Sequence, residues 1–401
     1  MTAGSQVDIA IVGGGLVGAS LACALAPLIR QRGLSVAVIE AAAIPDPNVT
    51  SWQPSFDARS SAIAQGSAER FRAMGVWQSM AEQAAAILRI HVSEKGRLGV
   101  TRLTAAELDQ PALGYVLPNA WMGRVLHRRL AELPLEWHCP ASVEAIVPEA
   151  QGYRLTLSDG CTLQAGLTVL ADGGRSGLKE QLGIGSDSAS YDQVALIANV
   201  ETSHPHDGVA FERFTREGPI ALLPLPGQQM ALIWTHPVGR EKARMALSDG
   251  DFLAELQQAF GDRIGRFRRV GSRHAYPLTL VTAREAIRPG LAVLGNAAHS
   301  LHPVAGQGFN LALRGVTDLV AALEQSLANG DPLGSMLTLR DFEARRIVDR
   351  HQVIRFSDGL VRLFGIDSGL LSHARAAGLV GLNLFGPLRR GLARRAMGLE
   401  R

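Results

Sequence analysis

Two groups of residues in this chain have types and spacings that could do chemistry. Gly13, Gly15 and Gly18 stand as GxGxxG in VDIAIVGGGLVGASLACALA, and Glu40 follows 22 residues after Gly18. Glycine at the first position permits a tight turn. At the second it lets backbone approach a pyrophosphate, and at the third it lets a helix pack close to a strand. An acid at the end of the next strand can accept hydrogen bonds from ribose hydroxyls. The chemistry implied is the binding of a dinucleotide, FAD or NAD, since both use the motif. The second group lies in VLGNAAHSLHPVAGQGFNLAL, residues 293–313, which crowds two histidines, a proline and two glycines into one loop. His299-x-x-His302 has a spacing at which two imidazoles could share a metal on a helix. Pro303 and the glycines argue against a helix there and no third ligand cluster is evident, so no metal is expected. For His299 a structural role is expected, with the ring bonded to backbone.

Elements must hold these residues. VDIAIV reads as a buried strand, the glycines as a turn, and LVGASLACALA as a helix. The N-terminus of that helix offers unpaired N–H groups and a positive dipole end to phosphates. LSVAVIE is a second buried strand ending in Glu40. TVLADGGRSGLKEQLGI, 168–184, is a further strand, turn and helix, with Asp172, Gly173 and Ser176 at the turn. LAVLG ends a third strand at Gly295-Asn296, where open parallel sheets bind ligands. YDQVALIANV, PIALLPLP and QMALIWTHP alternate as strands of an antiparallel sheet. Phe211, Phe214, Leu223 and Trp234 in this region read as core. From residue 341, FEARRIVDRHQVIRFSDGLVRLF reads as a long helix. The closing AAGLVGLNLFGPLRRGLARRAMGLER joins short apolar segments to five arginines and one glutamate.

The bulk numbers bound the class. A chain of 401 residues exceeds one ordinary core and suggests two domains. Hydrophobic residues at 47% and charged residues at 19% fit a globular protein with a large core. A net charge of +3, with no basic run interleaved with aromatics, speaks against a nucleic-acid binder. Cys23, Cys139 and Cys161 form no CxxC pair and no zinc spacing, which fits a reduced compartment. The N-terminus lacks a signal-peptide pattern. No uninterrupted apolar segment reaches the roughly 18 residues of a transmembrane helix. The expectation is a protein free in the cytoplasm or peripheral on the inner membrane.

The order GxGxxG, then DGxxS, then a turn at Gly295-Asn296 resembles the aromatic-hydroxylase family of flavoprotein monooxygenases over nearly the whole chain. FDARSSAIAQGS (56–67), LGYVLPNA (113–120), AFERFTREGPIALLPLPG (210–227) and HPVAGQGFNLALRG (302–315) are similar to the ubiquinone-biosynthesis hydroxylases. GNAAH together with AFERFT is most similar to the branch acting on 2-polyprenyl-6-methoxyphenols. The resemblance implies an α/β fold: a glutathione-reductase-like Rossmann FAD domain, an interleaved antiparallel-sheet substrate domain and a C-terminal helical tail. The expected division gives 1–73, 98–184 and 277–340 to the FAD domain, 74–97 and 185–276 to the substrate domain, and 341–401 to the tail.

The resemblance also implies the reaction. NADPH or NADH reduces FAD, O2 adds at the flavin C4a, and the hydroperoxide hydroxylates a polyprenylated phenol. The cofactor carries the chemistry, and the protein must exclude water and orient the ring. FAD is expected against Gly13, Gly15, Gly18, Glu40, Arg59, Asp172, Asn296, Gly306, Gly308 and Asn310. Pro303, His302 and Gln307 are expected at the reacting face. For Arg59 a surface salt bridge is the alternative. The helix starting near Phe309 would aim its positive end at the flavin's pyrimidine edge.

Three positions depart from the family. Asn296 replaces an Asp, Lys179 replaces the Arg of DGxxSxxR, and Trp121 lies where relatives often carry an arginine, with Arg124 nearby. No second GxGxxG occurs, so the nicotinamide nucleotide is expected to bind transiently. The basic tail would lie on an anionic membrane, dock a partner of the ubiquinone-biosynthesis complex, or cap the FAD domain. Two other functions remain: another flavin oxidoreductase of this fold, such as a prenyl reductase or halogenase, or a flavin-binding structural subunit. The halogenase signature Lys-x-x-Trp-x-x-Ile-Pro is absent.

Overall fold

The computed structural model describes residues 5–44, 59–97, 99–301 and 306–365, together with 378, 380, 381, 383 and 385–399, side chains at 357 and 360–365 excepted. Pro303 and His302 lie outside the described residues.

The strand Ser5–Val12 is the centre of the first sheet. It pairs in parallel with Val36–Ile39 on one side and Thr162–Leu170 on the other. Glu136–His138 and Leu291–Val293 extend the sheet, also in parallel. VAVI at 36–39 is buried at every position, as a strand covered on both faces must be. Ile9 and Ile11 face the helices Leu16–Ala24, Asn119–Leu130 and Gln307–Asn329. Ala10 and Val12 face the other way, onto residues from the antiparallel strands Val143–Pro148 and Tyr153–Leu157. The period of two along Ser5–Val12 therefore feeds two separate cores.

The second sheet is built on the long strand Ser186–Thr202, which pairs antiparallel with Gln229–Pro237, Phe267–Val270 and His274–Ala283. Pro219–Pro224 and Val209–Phe214 follow as antiparallel neighbours. Val209–Phe214 then pairs in parallel with Arg89–Glu94, and that strand pairs with Val100–Thr104. Leu196, Ala198, Val200, Ile220, Leu222, Leu232 and Trp234 pack in one core with the helix Asp249–Phe260. Trp234 and Phe252 meet edge to face at 5.6 Å between ring centroids. The residues between them in sequence, among them Ile197, Ala221, Leu223 and Ile233, point the other way and line a cavity.

Two expected domain boundaries meet this sheet awkwardly. The one between 276 and 277 falls inside His274–Ala283, and Val100–Thr104, placed on the FAD side of residue 98, belongs to the second sheet. A small third sheet joins Ser60–Ala64, Gly114–Pro118 and Ala85–Ile87. Beyond the helix Met336–Gly365, the helix Gly386–Ala396 folds back onto the body, where Ala393 and Met397 are buried.

Candidate active site

The glycine turn has the geometry its sequence requires. Gly13 has φ +104°, and a Cβ there would lie 2.7 Å from the carbonyl oxygen of Ala171. A Cβ on Gly18 would run into the carbonyl oxygen of Gly13, so turn and helix are in contact. Gly15 differs: nothing lies within 4 Å of its Cβ position, and it lines the cavity. It caps the helix Leu16–Ala24 without a side-chain cap, and the first turn carries no acidic residue. The end N–H groups and the dipole are left for an anion. Glu40 holds the turn from below, accepting from the Gly14 N–H at 2.7 Å and the Ala42 N–H at 2.9 Å. His127 Nε2 contacts the Gly14 carbonyl at 2.8 Å. A pyrophosphate fits the open side of Gly15, and Glu40 faces the same cavity.

Asp172 organises the second turn. Its carboxylate accepts from the backbone N–H groups of Gly174, Arg175 and Ser176 at 3.2, 3.1 and 2.9 Å. Burial raises its pKa, but hydrogen bonds from Ser176 and from the Gly174 N–H outweigh burial and hold it below the ordinary value. Arg175 lines the cavity with it. Lys179 is buried and donates to the Ser186 hydroxyl at 3.2 Å. The ammonium therefore ties the second turn to the start of the long strand Ser186–Thr202.

The third turn is Gly295–Ala297, directly after Leu291–Val293. Gly295 has φ +61° with the Val17 side chain against it, and Asn296 is exposed to the cavity. The helix expected near Phe309 begins two residues earlier, at Gln307, capped by Gly306 at φ +60°. It too has no side-chain cap and no acid in its first turn. Gly308 has nothing within 4 Å of its Cβ position and lines the cavity.

Asn310 spends its side chain on bracing. Its Oδ1 accepts from the Ala64 N–H at 2.8 Å, and its Nδ2 donates to the carbonyls of Ala62 and Gly306 at 3.0 and 2.8 Å. Gln307 donates to the Ala396 carbonyl at 3.2 Å, tying the helix start to the C-terminal helix. His299 departs from expectation: it is buried, and neither ring nitrogen has a partner among the described residues. Burial, then Arg346, Arg350 and Arg314, push its pKa down to about 3, so the ring is neutral. Arg59 stands apart from the cavity lining, donating to the Tyr276 hydroxyl at 3.1 Å. Arg124 is not among the lining residues, and Trp121 is buried, with its indole N–H on the Ser79 carbonyl at 3.1 Å.

These turns open on one cavity of about 870 Å³. Its far wall is the inner face of the second sheet, including Ile197, Ala210, Glu212, Phe214, Leu223 and Ile233. Of the four aromatic and aliphatic residues read as core, Trp234 is core alone, while Phe211, Phe214 and Leu223 also line the cavity. Two sets of lining residues escape sequence reasoning. One is the C-terminal wall, with Leu392, Ala393, Ala396 and Met397. Its only signal is the apolar spacing within a basic tail. The other is Glu212, whose alternation in AFERF marks a strand but does not say which face is the cavity.

Several comparisons bear on this geometry. A family described as FAD binding domain matches residues 6–350. The chain is 38% identical over 398 residues to the ubiquinone hydroxylase UbiL of Rhodospirillum rubrum, covering 99% of this chain and 91% of that protein. It is 32% identical to 3-demethoxyubiquinol 3-hydroxylase of Escherichia coli, covering 98% of each. Among solved structures, the p-nitrophenol 4-monooxygenase PnpA of Pseudomonas putida superposes with a TM-score of 0.78 at 18% identity, covering 99% of this chain and 100% of that one. PqsL of Pseudomonas aeruginosa superposes at 0.77 and 20% identity, covering 94% and 100%. At those identities the likeness concerns the fold.

Proposed function

This chain belongs to the FAD-binding domain family, and on that premise we propose that it is an FAD-dependent monooxygenase hydroxylating the ring of a polyprenylated methoxyphenol in ubiquinone biosynthesis. The observation that carries the reading is the single cavity, which joins three dinucleotide-type turns to an apolar sheet face. Bound FAD supplies electron transfer from a reduced nicotinamide and the activation of O2. The chain supplies the rest. The N-termini of Leu16–Ala24 and Gln307–Asn329 hold negative charge, Glu40 and Asp172 fix the turns, and Asn296 offers an amide acceptor and donor. Ile197, Leu223, Ile233 and the C-terminal wall exclude water from the reacting ring and take the apolar substrate. Gln307, whose amide secures the wall, belongs to the proposed reacting face, and Pro303 and His302 remain part of that proposal from sequence. NADPH or NADH visits without a glycine fingerprint of its own.

The tail supports a position on a membrane surface. Phe385 is 67% and Leu388 64% exposed on a segment that also carries Arg390, Arg394 and Arg395. Among the described residues no helix is long and apolar enough to cross a membrane. A peripheral site would deliver a lipid-dissolved prenyl chain to the wall that the same helix forms.

Anaerobic reduction of bound FAD by NADPH tests the proposal, with and without a short-chain 2-methoxy-6-prenylphenol. The expected result is strong acceleration by the phenol, followed in air by incorporation of one labelled oxygen atom from O2 into the ring. Bound FAD that gives no oxygenated phenol under any reductant would favour the structural-subunit reading instead.

A further inference from the structure

We propose that Glu212 holds the substrate's phenolic hydroxyl and takes up its proton. The proposal rests on the hydroxylase reading and names a residue for it. Val209–Phe214 places Ala210, Glu212 and Phe214 on the face that lines the cavity, which Phe211 of the opposite face also reaches. Register sets Glu212 beside Ala221 on one neighbouring strand and Val92 on the other. Ile90, Leu103, Leu223 and Ile233 line the same wall. Among the described residues, Glu212 has no side-chain hydrogen bond and no cation beside it. A carboxyl set into an apolar wall without a partner does not help folding, because burial disfavours its charge. Burial alone pushes its pKa up to about 7. The side chain is enclosed by protein yet open to the cavity, so its missing partner is a cavity ligand.

The other charged groups are further away along the fold. Glu94 is the next acid on this face, two residues on from Val92 and paired with Phe214. His91 and Arg213 occupy alternate positions and project to the opposite face. Glu40, Asp172 and Arg175 belong to the cofactor end of the cavity.

The step is a proton transfer. The phenol O–H bond breaks, its electron pair stays on the oxygen, and the proton forms an Oε–H bond on Glu212. The electron-rich phenolate ring is the better acceptor of an electrophilic oxygen atom. The proton returns to the departing product, so the carboxylate is unchanged over a turnover. A group with a pKa near the working pH is suited to this exchange.

The test uses the FAD-loaded protein and two probes, a short-chain 2-methoxy-6-prenylphenol and its O-methyl ether, titrated by the change in flavin absorbance between pH 5.5 and 8.5. The phenol should bind about tenfold more tightly than the ether at pH 8, with the preference fading below pH 6 as Glu212 is protonated. Glu212→Gln should abolish that pH dependence and lower kcat about 100-fold, with FAD content unchanged, and Glu212→Asp should restore the acid limb in part. Equal binding of phenol and ether by the wild type at every pH would overturn the proposal, as would a Glu212→Gln variant that keeps the acid limb. Absence of any hydroxylated product from the wild type would sink the hydroxylase reading alone, since the phenol-to-ether preference still decides the role of Glu212.

Discussion

At the scale of single residues, Gly15 and Gly18 separate binding from folding within one motif. The backbone at Gly15 is extended, with φ −69° and ψ −170°, which any residue adopts, and its Cβ position faces open cavity. Gly15→Ala should therefore fold with a stability change within about 0.5 kcal/mol, while weakening FAD tenfold or more by filling the space of the pyrophosphate. Gly18→Ala should do the reverse, because its methyl collides with the Gly13 carbonyl. Backbone collisions of this kind cost roughly 1–3 kcal/mol or more, so its thermal midpoint should fall even without cofactor. Flavin fluorescence titration and calorimetry of the apoprotein distinguish the two.

Glu212 gives a third prediction at this scale. Its folded pKa, about 7, lies above the ordinary 4.5, so the folded state holds this proton more tightly than the unfolded chain does. The resulting stabilisation is complete below the unfolded value and is lost as pH rises through the folded one. The shift corresponds to ~3 kcal/mol as an upper bound, since the carboxyl borders a cavity that admits water. Glu212→Gln should match the wild type near pH 5 and exceed it in thermal midpoint at pH 8.5. Equal midpoints at both pH values would contradict the burial of this carboxylate.

At the scale of elements, the C-terminal helix Gly386–Ala396 acts as a wall of the site. It is tied down at both ends: the Gly66 N–H donates to the Met397 carbonyl at 2.9 Å, Gln307 donates to Ala396, and Arg389 pairs with Glu107 at 2.9 Å. Ending the chain after residue 385 should leave the three cofactor turns intact, because none of them draws on this helix for its geometry. It should open the cavity to water, so that NADPH is consumed with hydrogen peroxide formed in place of hydroxylated phenol. Product-to-NADPH ratios measure this directly, and an unchanged ratio would remove the helix from the site. The same contrast explains what was legible in the sequence. The three turns could be read because each strand, turn and helix runs in order within a short stretch of chain, although what crowds Gly13 and Gly295, namely Ala171 and Val17, lies far away in sequence. Asn296 follows from its place at the end of a parallel strand. The wall could not be read, since its contacts, at Gly66, Glu107 and Gln307, are far away in sequence. Asn310 lines the cavity, as expected of a residue near the cofactor, but its three bonds go to Ala62, Ala64 and Gly306, which only the docking of Ser60–Ala64 reveals. Glu212 was hidden for a different reason: alternation shows that a strand has two faces, and only the pairing with Pro219–Pro224 and Arg89–Glu94 shows which of them is the cavity.

At the scale of the whole molecule, the question is how a lipid-like substrate reaches an enclosed ring-binding site. The net charge of +3 is too small to drive membrane binding by itself. The charge is unevenly placed, however, with Arg389, Arg390, Arg394 and Arg395 on one short helix beside exposed Phe385 and Leu388. Arg389 is engaged with Glu107, while Arg390 and Arg395 are exposed on the same helix. Each basic residue near an anionic surface contributes on the order of 1 kcal/mol, and the two apolar side chains add burial energy. The buried side of the helix meanwhile supplies Ala393 and Met397 to the cavity. A helix lying in the headgroup region with its opposite side on the cavity would pass the prenyl chain inward without exposing it to water. The protein should therefore co-sediment with vesicles rich in anionic phospholipid at low salt, and release them as salt rises. Phe385→Ser with Leu388→Ser should weaken that binding several-fold while sparing FAD content and the turnover of a short-chain, water-soluble phenol. Turnover of a long-chain phenol held in the vesicles should fall in parallel with the binding. Equal sedimentation of wild type and double variant, at any salt, would place the entrance elsewhere on the surface.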